Sequence, residues 1–221
     1  MKSNNDFHLT VDVVLFTLQN QALSILLEKR KNLPFAQHWA IPTCDIDLQH
    51  DDSLEQAAKR QLKQLTGLEA FFLEQVQTLG DSQRDPRGWS VTIVYYSLVP
   101  YCQVAHCQWV SIKEALTYPL AFDHQEIIKK CLQRFQSKSL YTSLPIFLLP
   151  AEFTLTELQK AYEAVLEFPM EKKSFRRRLL DAGFLEETGN VRRAKNRPAH
   201  LYRLSKLQPY FFPRILEGAR S

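Results

Sequence analysis

Residues 153–166 read FTLTELQKAYEAVL, and residues 172–204 read KKSFRRRLLDAGFLEETGNVRRAKNRPAHLYRL. In the first stretch, Thr154 and Glu157 have the spacing of a helix capping box. Apolar side chains then recur every three or four positions, as on one face of a helix, at Leu155, Leu158, Tyr162 and Val165. Because Pro169 follows soon afterwards, the pattern predicts a helix that ends in a turn.

The second stretch predicts another helix over Glu171–Ala182, which ends at Gly183. At 100° per residue, one side of this helix is apolar and would pack against the first helix, with Phe175, Leu179 and Ala182. The other side is polar and basic, with Lys173, Ser174 and Arg177, and Arg176 flanks it. Such a face suits a recognition helix in a DNA major groove, where Arg can bind guanine edges and Lys can contact phosphate.

A basic hairpin is predicted after the second helix. Residues 184–187 favour a strand, residues 188–198 a loop, and residues 200–204 a closing strand. Helix, turn, helix and hairpin together describe a winged helix-turn-helix. The basic side chains of the loop would form a wing along the DNA backbone or minor groove, and they are Arg192, Arg193, Lys195 and Arg197.

The charge distribution agrees with this interpretation. Residues 1–140 hold 14 Lys and Arg against 15 Asp and Glu, whereas residues 172–206 hold 11 against three. A basic block at one end of a neutral chain is typical of nucleic-acid binding, and the alternative is a solvated basic surface helix.

The first half of the chain alternates strand and helix patterns. Two aliphatic runs, residues 9–18 and 23–28, predict a strand pair with a tight connection, and strands are also expected at 71–79, 89–100 and near Trp109. Helices are predicted over 53–65, capped by Asp51 or Asp52, and over 123–137. This pattern favours an α+β fold, an α/β/α sandwich, over a doubly wound parallel sheet.

Residues 53–68, SLEQAAKRQLKQLTGL, resemble the Nudix box GX5EX7REUXEEXGU, in which U is aliphatic. Asp52 occupies the first Glu position and Arg60 the Arg position. In active Nudix enzymes the box carboxylates bind divalent cations that polarise a pyrophosphate. The three Glu positions after the Arg are here Gln61, Gln64 and Leu65, so no metal site, no cofactor and no catalytic residue are expected.

A second motif, GDSQRDPRGWSVTIV, covers residues 80–94. It places Arg84, Asp85 and Arg87 in a turn beside a strand, where two guanidinium groups could bind a pyrophosphate. The alternative is a loop in which Asp85 pairs with an arginine. Arg60 and Arg30 are weaker candidates for the same ligand. The motif resembles a signature of the Nudix-related transcriptional regulators of NAD biosynthesis, an NrtR-like family.

The resemblance to that family extends over residues 9–204, and it includes LAFDH at 120–124 and the two stretches quoted first. It implies a homodimeric repressor that binds a pseudo-palindromic promoter duplex and responds to ADP-ribose or a related metabolite. Some members of the family regulate sugar catabolism instead. A different hypothesis is a Nudix pyrophosphohydrolase with an appended RNA- or partner-binding domain, which the substituted box disfavours.

The expected organisation is a Nudix-like domain over 1–137, an extended linker over 138–153, a winged helix over 154–206 and a tail over 207–221. No secretory signal or membrane-spanning segment is recognisable, so a cytoplasmic protein is expected. The four cysteines form no CxxC pair and are expected to be buried, reduced thiols.

Overall fold

A computed structural model describes residues 7–193 and 198–216. Its strands are β1 (His8–Gln19), β2 (Ala22–Lys29), β3 (Trp39–Ala40), β4 (Thr43–Asp45), β5 (Leu73–Asp81), β6 (Ser90–Leu98), β7 (Cys107–Ser111), β8 (Leu185–Arg192) and β9 (Ala199–Leu204). Its α-helices are α1 (Leu54–Thr66), α2 (Ile112–Ala115), α3 (His124–Ser139), α4 (Leu155–Leu166) and α5 (Lys172–Asp181), and a 3₁₀ helix covers Leu144–Leu148.

The first seven strands form one mixed sheet between helical layers. The strand order is β3-β2-β1-β6-β5, with β4 paired to β1 and β7 paired to β2, and β1 runs parallel to β6. Side chains of β1 alternate between two cores, because successive residues of a strand point to opposite faces. Val13 packs in the core of α1, whereas Val14 packs in the core of α3. The expected α/β/α sandwich is confirmed.

Local signals fix the ends of several elements. Asn20 and Gln21 both have positive φ, as a two-residue hairpin turn between right-twisted strands requires. Gly67 ends α1 in the left-handed conformation. The predicted cap of α1 was wrong: Ser53 is the N-cap and its side chain accepts from the Gln56 N–H, while the Asp51 carboxylate pairs with Arg60.

The second unit is the expected winged helix. Thr154 and Glu157 form the capping box of α4, and Phe175 and Leu179 of α5 are buried. The hairpin differs in one respect: β8 continues to Arg192, so residues 188–192 belong to the strand rather than to the loop.

Residues 138–153 are not an extended linker. The helix α3 runs on to Ser139, and the 3₁₀ helix that follows is buried from Leu144 to Leu148. Pro145 lies at the start of this helix, where its missing N–H costs nothing. Phe147 packs against Phe72, so the segment joins the sheet to the winged helix in one core.

The predicted tail is also ordered over its described part. Tyr210 stacks on Phe184, and the Phe212 N–H donates to the Tyr141 carbonyl at 2.7 Å. Of the four cysteines, Cys131 is buried, whereas Cys44, Cys102 and Cys107 are only partly buried. No helix in the described ranges is long and apolar enough to cross a membrane.

Candidate functional site

Two surfaces contain most of the predicted site residues that the structure describes. The first is the outer face of α5. Lys173, Ser174 and Arg177 are exposed there, and the buried Phe175 and Leu179 hold the opposite face against the core. The Glu171 carboxylate caps the helix by accepting from the Lys173 and Ser174 N–H groups. These hydrogen bonds lower the pKa of Glu171, which favours its ionised form.

Two of the predicted DNA-contacting arginines are bound within the protein. The Arg176 guanidinium donates to the Thr156 hydroxyl at 2.7 Å, which ties α5 to α4. Arg192 pairs with Glu157, which ties the hairpin to the start of α4. Arg193 is exposed at the end of β8. Lys195 and Arg197 lie outside the described residues.

The second surface is a cleft in the Nudix-like domain. It brings together four of the five predicted effector-binding residues, Arg30, Arg84, Asp85 and Arg87. Arg60 is not among its lining residues: the guanidinium of this arginine donates to Asp51 at 2.7–2.9 Å and to the Asp45 carbonyl at 2.9 Å. The cleft has a volume of about 40 Å³, which is enough for one or two water molecules but not for a whole nucleotide.

Each arginine of the motif at residues 80–94 has an acidic partner. Arg84 is nearly buried and donates twice to the Asp123 carboxylate, at 2.9 and 3.0 Å, at the start of α3. Arg87 is 42% exposed and donates to the Asp85 carboxylate at 2.6–3.1 Å. Burial raises the pKa of Asp85, but the hydrogen bonds from Arg87 outweigh it and lower the pKa overall. The structure therefore contains the internal pair of Asp85 with an arginine that the sequence analysis gave as the alternative.

Phe122 organises the mouth of the cleft, and sequence reasoning missed its role. The Arg30 guanidinium lies 4.7 Å from the centre of its ring and the Arg87 guanidinium 5.9 Å. Arg30 also donates to the Pro34 carbonyl at 3.0 Å. Burial lowers the pKa of Arg30, and repulsion by Arg87 adds to this effect. Phe122 belongs to the LAFDH motif, so the two motifs meet here in space.

The floor of the cleft is formed by residues that sequence reasoning did not select. Asp12 is 1% exposed, and one of its carboxylate oxygens accepts from the Thr43 hydroxyl at 2.7 Å. His124 is also buried, and its Nδ1 accepts from the Ile41 N–H at 3.2 Å. The sequence did point to Asp12, because it is an acid amid the apolar residues of a strand. Burying such a charge is unfavourable unless a partner or a ligand binds it.

The substituted Nudix box lies on α1. The Gln61 amide N–H lies 3.5 Å from the Thr43 carbonyl, and Gln64 and Leu65 occupy the other two glutamate positions. Amides are weak ligands for a hard cation and Leu is none. Among the described residues, no group of three or more His, Cys, Asp or Glu side chains could hold a metal ion. The donor set therefore does not fit the cation that the box implies.

Comparison with known proteins bears on both surfaces. Residues 145–204 match the model of the NrtR DNA-binding winged helix domain. The chain is 43% identical to the ADPR responsive transcriptional repressor NtrR of Acinetobacter baylyi, over 96% of this chain and 88% of that protein. It is 42% identical to Shewanella oneidensis NrtR in complex with a 27mer DNA, with a TM-score of 0.88 over 95% of this chain and 99% of that one. The Nudix domain of the same Shewanella protein, complexed with ADP ribose, is 41% identical, with a TM-score of 0.56 over 60% of this chain and 91% of that one.

The chain belongs to the NrtR family of transcriptional regulators. The resemblance drawn from the two motifs and from the winged-helix stretches is thereby confirmed, and so is the fold of an NrtR protein, a Nudix domain with a C-terminal winged helix. The match at 145–204 begins within the buried 3₁₀ helix, inside the segment that was predicted as a linker. The roles of the individual side chains remain predictions.

Proposed function

We propose that this NrtR-family protein is a DNA-binding repressor of genes of NAD metabolism that is controlled by ADP-ribose or a related pyrophosphate metabolite. The main observation behind this proposal is the winged helix. Its helix α5 exposes Lys173, Ser174 and Arg177 on one face, and its opposite face is buried in the core. The relatives described as an ADPR-responsive repressor and as a DNA complex support the same function. Because ADP-ribose is what remains of NAD after loss of nicotinamide, an NAD-linked set of genes suits such an effector.

DNA contact is assigned to two elements. Helix α5 enters the major groove with Arg177 at a base edge and Lys173 at phosphate. Arg193, together with Lys195 and Arg197, follows the backbone of the flanking groove. Arg176 and Arg192 support these elements from behind, because both are bound to α4. Since one winged helix contacts few base pairs, we propose a homodimer on a pseudo-palindrome, acting in the cytoplasm.

The cleft is proposed as the effector site, with Arg87 as the main pyrophosphate ligand. Arg87 is the more exposed of the two motif arginines, and Arg30 lies across the same aromatic ring. Arg84 is held by Asp123, so its contribution requires that pair to open. Arg60 is assigned to structure rather than to the effector, since its partners lie outside the cleft.

Binding without hydrolysis is the expected chemistry. Two amides and a Leu replace the box glutamates, so the α1 face cannot hold the divalent cations that activate water in Nudix enzymes. Purified protein with Mg²⁺ or Mn²⁺ should leave ADP-ribose intact, as followed by chromatography of the nucleotide products. Metal-dependent turnover above background would instead support a pyrophosphohydrolase with an appended binding domain.

The test of the DNA function is fluorescence anisotropy of the full chain on a duplex from its own operon, with and without ADP-ribose. Arg177→Ala should cost about 1–3 kcal/mol on that duplex and little on random DNA. Lys59→Ala is the matched control, because it removes one positive charge from the exposed surface of α1. Equal losses of affinity for both duplexes would show that Arg177 does not contact a base. Absence of duplex binding by the wild-type chain at physiological salt would refute the repressor proposal.

A further inference from the structure

One carboxylate oxygen at the floor of the cleft lacks a hydrogen bond. Asp12 is 1% exposed, and its Oδ1 accepts from the Thr43 hydroxyl, but its Oδ2 has no hydrogen-bond partner among the described residues. The nearest cation, the Arg84 guanidinium, lies 3.7 Å from Oδ2, beyond hydrogen-bond distance. A buried charged oxygen without a donor is costly, so this atom is suited to accept a hydrogen bond from a ligand.

The neighbouring His124 supplies the complementary group. Its Nδ1 accepts from the Ile41 N–H, so the neutral ring carries its proton on Nε2. Burial lowers the pKa of His124, which keeps the ring neutral. The floor therefore offers a carboxylate acceptor and an imidazole donor. A hydroxyl group both donates and accepts, whereas a phosphate would be repelled by Asp12.

The residues that line the cleft select which part of the effector can reach this floor. Arg87 lies at the exposed side, and Asp12 and His124 lie at the buried side. The carboxylate of Asp12 lies at this floor, so the floor favours a hydroxyl-bearing end of a molecule over a phosphate. A ligand whose phosphates bind Arg87 would thus extend its terminal sugar inward.

We propose that Asp12 and His124 form a subsite for a hydroxyl group of the effector's terminal sugar, so that the protein distinguishes a nucleoside diphosphate sugar from the plain nucleoside diphosphate. This inference rests on the proposed function, because it concerns the same cleft and the same class of effector. The ligand contact is assigned to Asp12 Oδ2, and Thr43 holds the other oxygen in place.

The experiment measures the affinities of the wild-type chain and of Asp12→Asn for ADP-ribose and for ADP by calorimetry. The wild type should bind ADP-ribose about tenfold or more tightly than ADP, because a hydrogen bond to a charged group contributes that much to affinity. Asp12→Asn should lose most of that preference. Asp47→Asn is the matched control, because it makes the same change of charge at a partly exposed position of the same domain and does not line the cleft. That variant should bind both ligands as the wild type does and keep the ratio of the two affinities.

The outcomes separate the two proposals. If the wild type binds neither ligand, the ADP-ribose function is wrong and the subsite falls with it. If it binds ADP-ribose but Asp12→Asn keeps the preference, or Asp47→Asn loses it equally, the subsite alone is refuted. If Asp12→Asn does not fold, the wild type is tested with ADP-ribose that lacks terminal-sugar hydroxyls. A loss of about tenfold supports the subsite, and unchanged affinity overturns it.

Discussion

The three arginines of the cleft differ in their environments, and these environments decide which guanidinium group is accessible to a ligand. Sequence reasoning selected Arg30, Arg84 and Arg87 correctly as neighbours, because a turn rich in arginine beside a strand points to an anion site. It could not tell which of them is accessible to a ligand, since this depends on pairing with acids that are distant in sequence. Asp123 lies 39 positions from Arg84, yet it holds the guanidinium with two hydrogen bonds.

Arg87→Ala should weaken ADP-ribose binding by roughly 10- to 150-fold, because a bidentate Arg–phosphate contact contributes on the order of 1.5–3 kcal/mol. Calorimetry on the full chain measures this change. The thermal unfolding midpoint should also fall, because the variant leaves the buried Asp85 carboxylate without this partner, so the affinity is measured at a temperature at which the variant is folded.

The control for this prediction is Arg60→Ala. Arg60 also pairs with an acid, Asp51, but outside the cleft, so its loss should leave the affinity for ADP-ribose unchanged. An unchanged affinity in Arg87→Ala, or an equal loss in both variants, would exclude Arg87 as the pyrophosphate ligand.

At the scale of elements, the periodic segments were predictable and the short apolar segment was not. The α4 pattern is unambiguous, because a capping box and four apolar positions agree. Residues 144–149 read LPIFLL, which is too short to show a period, and Pro145 suggests a break. Only the tertiary contacts, such as Phe147 against Phe72, show that this segment is core.

A cluster of charges fixes α3 to the edge strand β5. The Glu74 carboxylate, which is 16% exposed, accepts from Lys138 at 2.5 Å and from Arg134 at 2.9 Å. Burial raises the pKa of Glu74, but the hydrogen bonds from Lys138 and Arg134 outweigh it, and the pKa in the folded protein lies below its ordinary value. The cluster therefore links the edge of the first sheet to the helix that leads to the winged helix.

The sign of the pH dependence follows from this shift. A carboxyl whose pKa is lowered by folding stabilises the folded state at pH values above its unfolded pKa, and this stability is lost as the pH falls through the folded pKa. Glu74→Gln should cost about 1–2 kcal/mol at neutral pH and less as the pH falls below about 4.5. Thermal unfolding of both chains between pH 7 and pH 3 measures the difference. A constant difference across that range would contradict the assignment.

The whole molecule has one continuous core rather than two domains on a tether. Buried side chains of the sheet, α3, the 3₁₀ helix and α4 belong to the same apolar cluster. The Tyr162 hydroxyl of α4 donates to the Thr142 carbonyl at 2.7 Å, and Gln136 of α3 donates to the Val165 carbonyl at 3.0 Å. The segment 138–153, expected to be an extended linker, therefore lies within the packed core. Arg84 of the cleft pairs with Asp123 at the start of α3, so packed structure connects the cleft to the winged helix.

This continuity makes a prediction about cooperativity that two probes can separate. The three tryptophans, Trp39, Trp89 and Trp109, all lie in the first half of the chain, so their fluorescence reports on the Nudix domain. Leu158→Ala removes a side chain of α4 that is 1% exposed, at a cost of about 2–5 kcal/mol. If the core unfolds as one unit, the tryptophan transition should shift down by several degrees, together with the loss of helical circular dichroism.

The matched control is Leu207→Ala, because Leu207 is 69% exposed and its removal should leave both transitions in place. The contrary result is equally clear. If the Leu158→Ala circular dichroism curve splits into two steps while the tryptophan curve stays at the wild-type midpoint, the two domains unfold independently. The effector signal would then need a route other than the shared core. Coincident shifts of both probes would instead mean that the Nudix domain and α4, against which α5 packs, unfold as one cooperative unit.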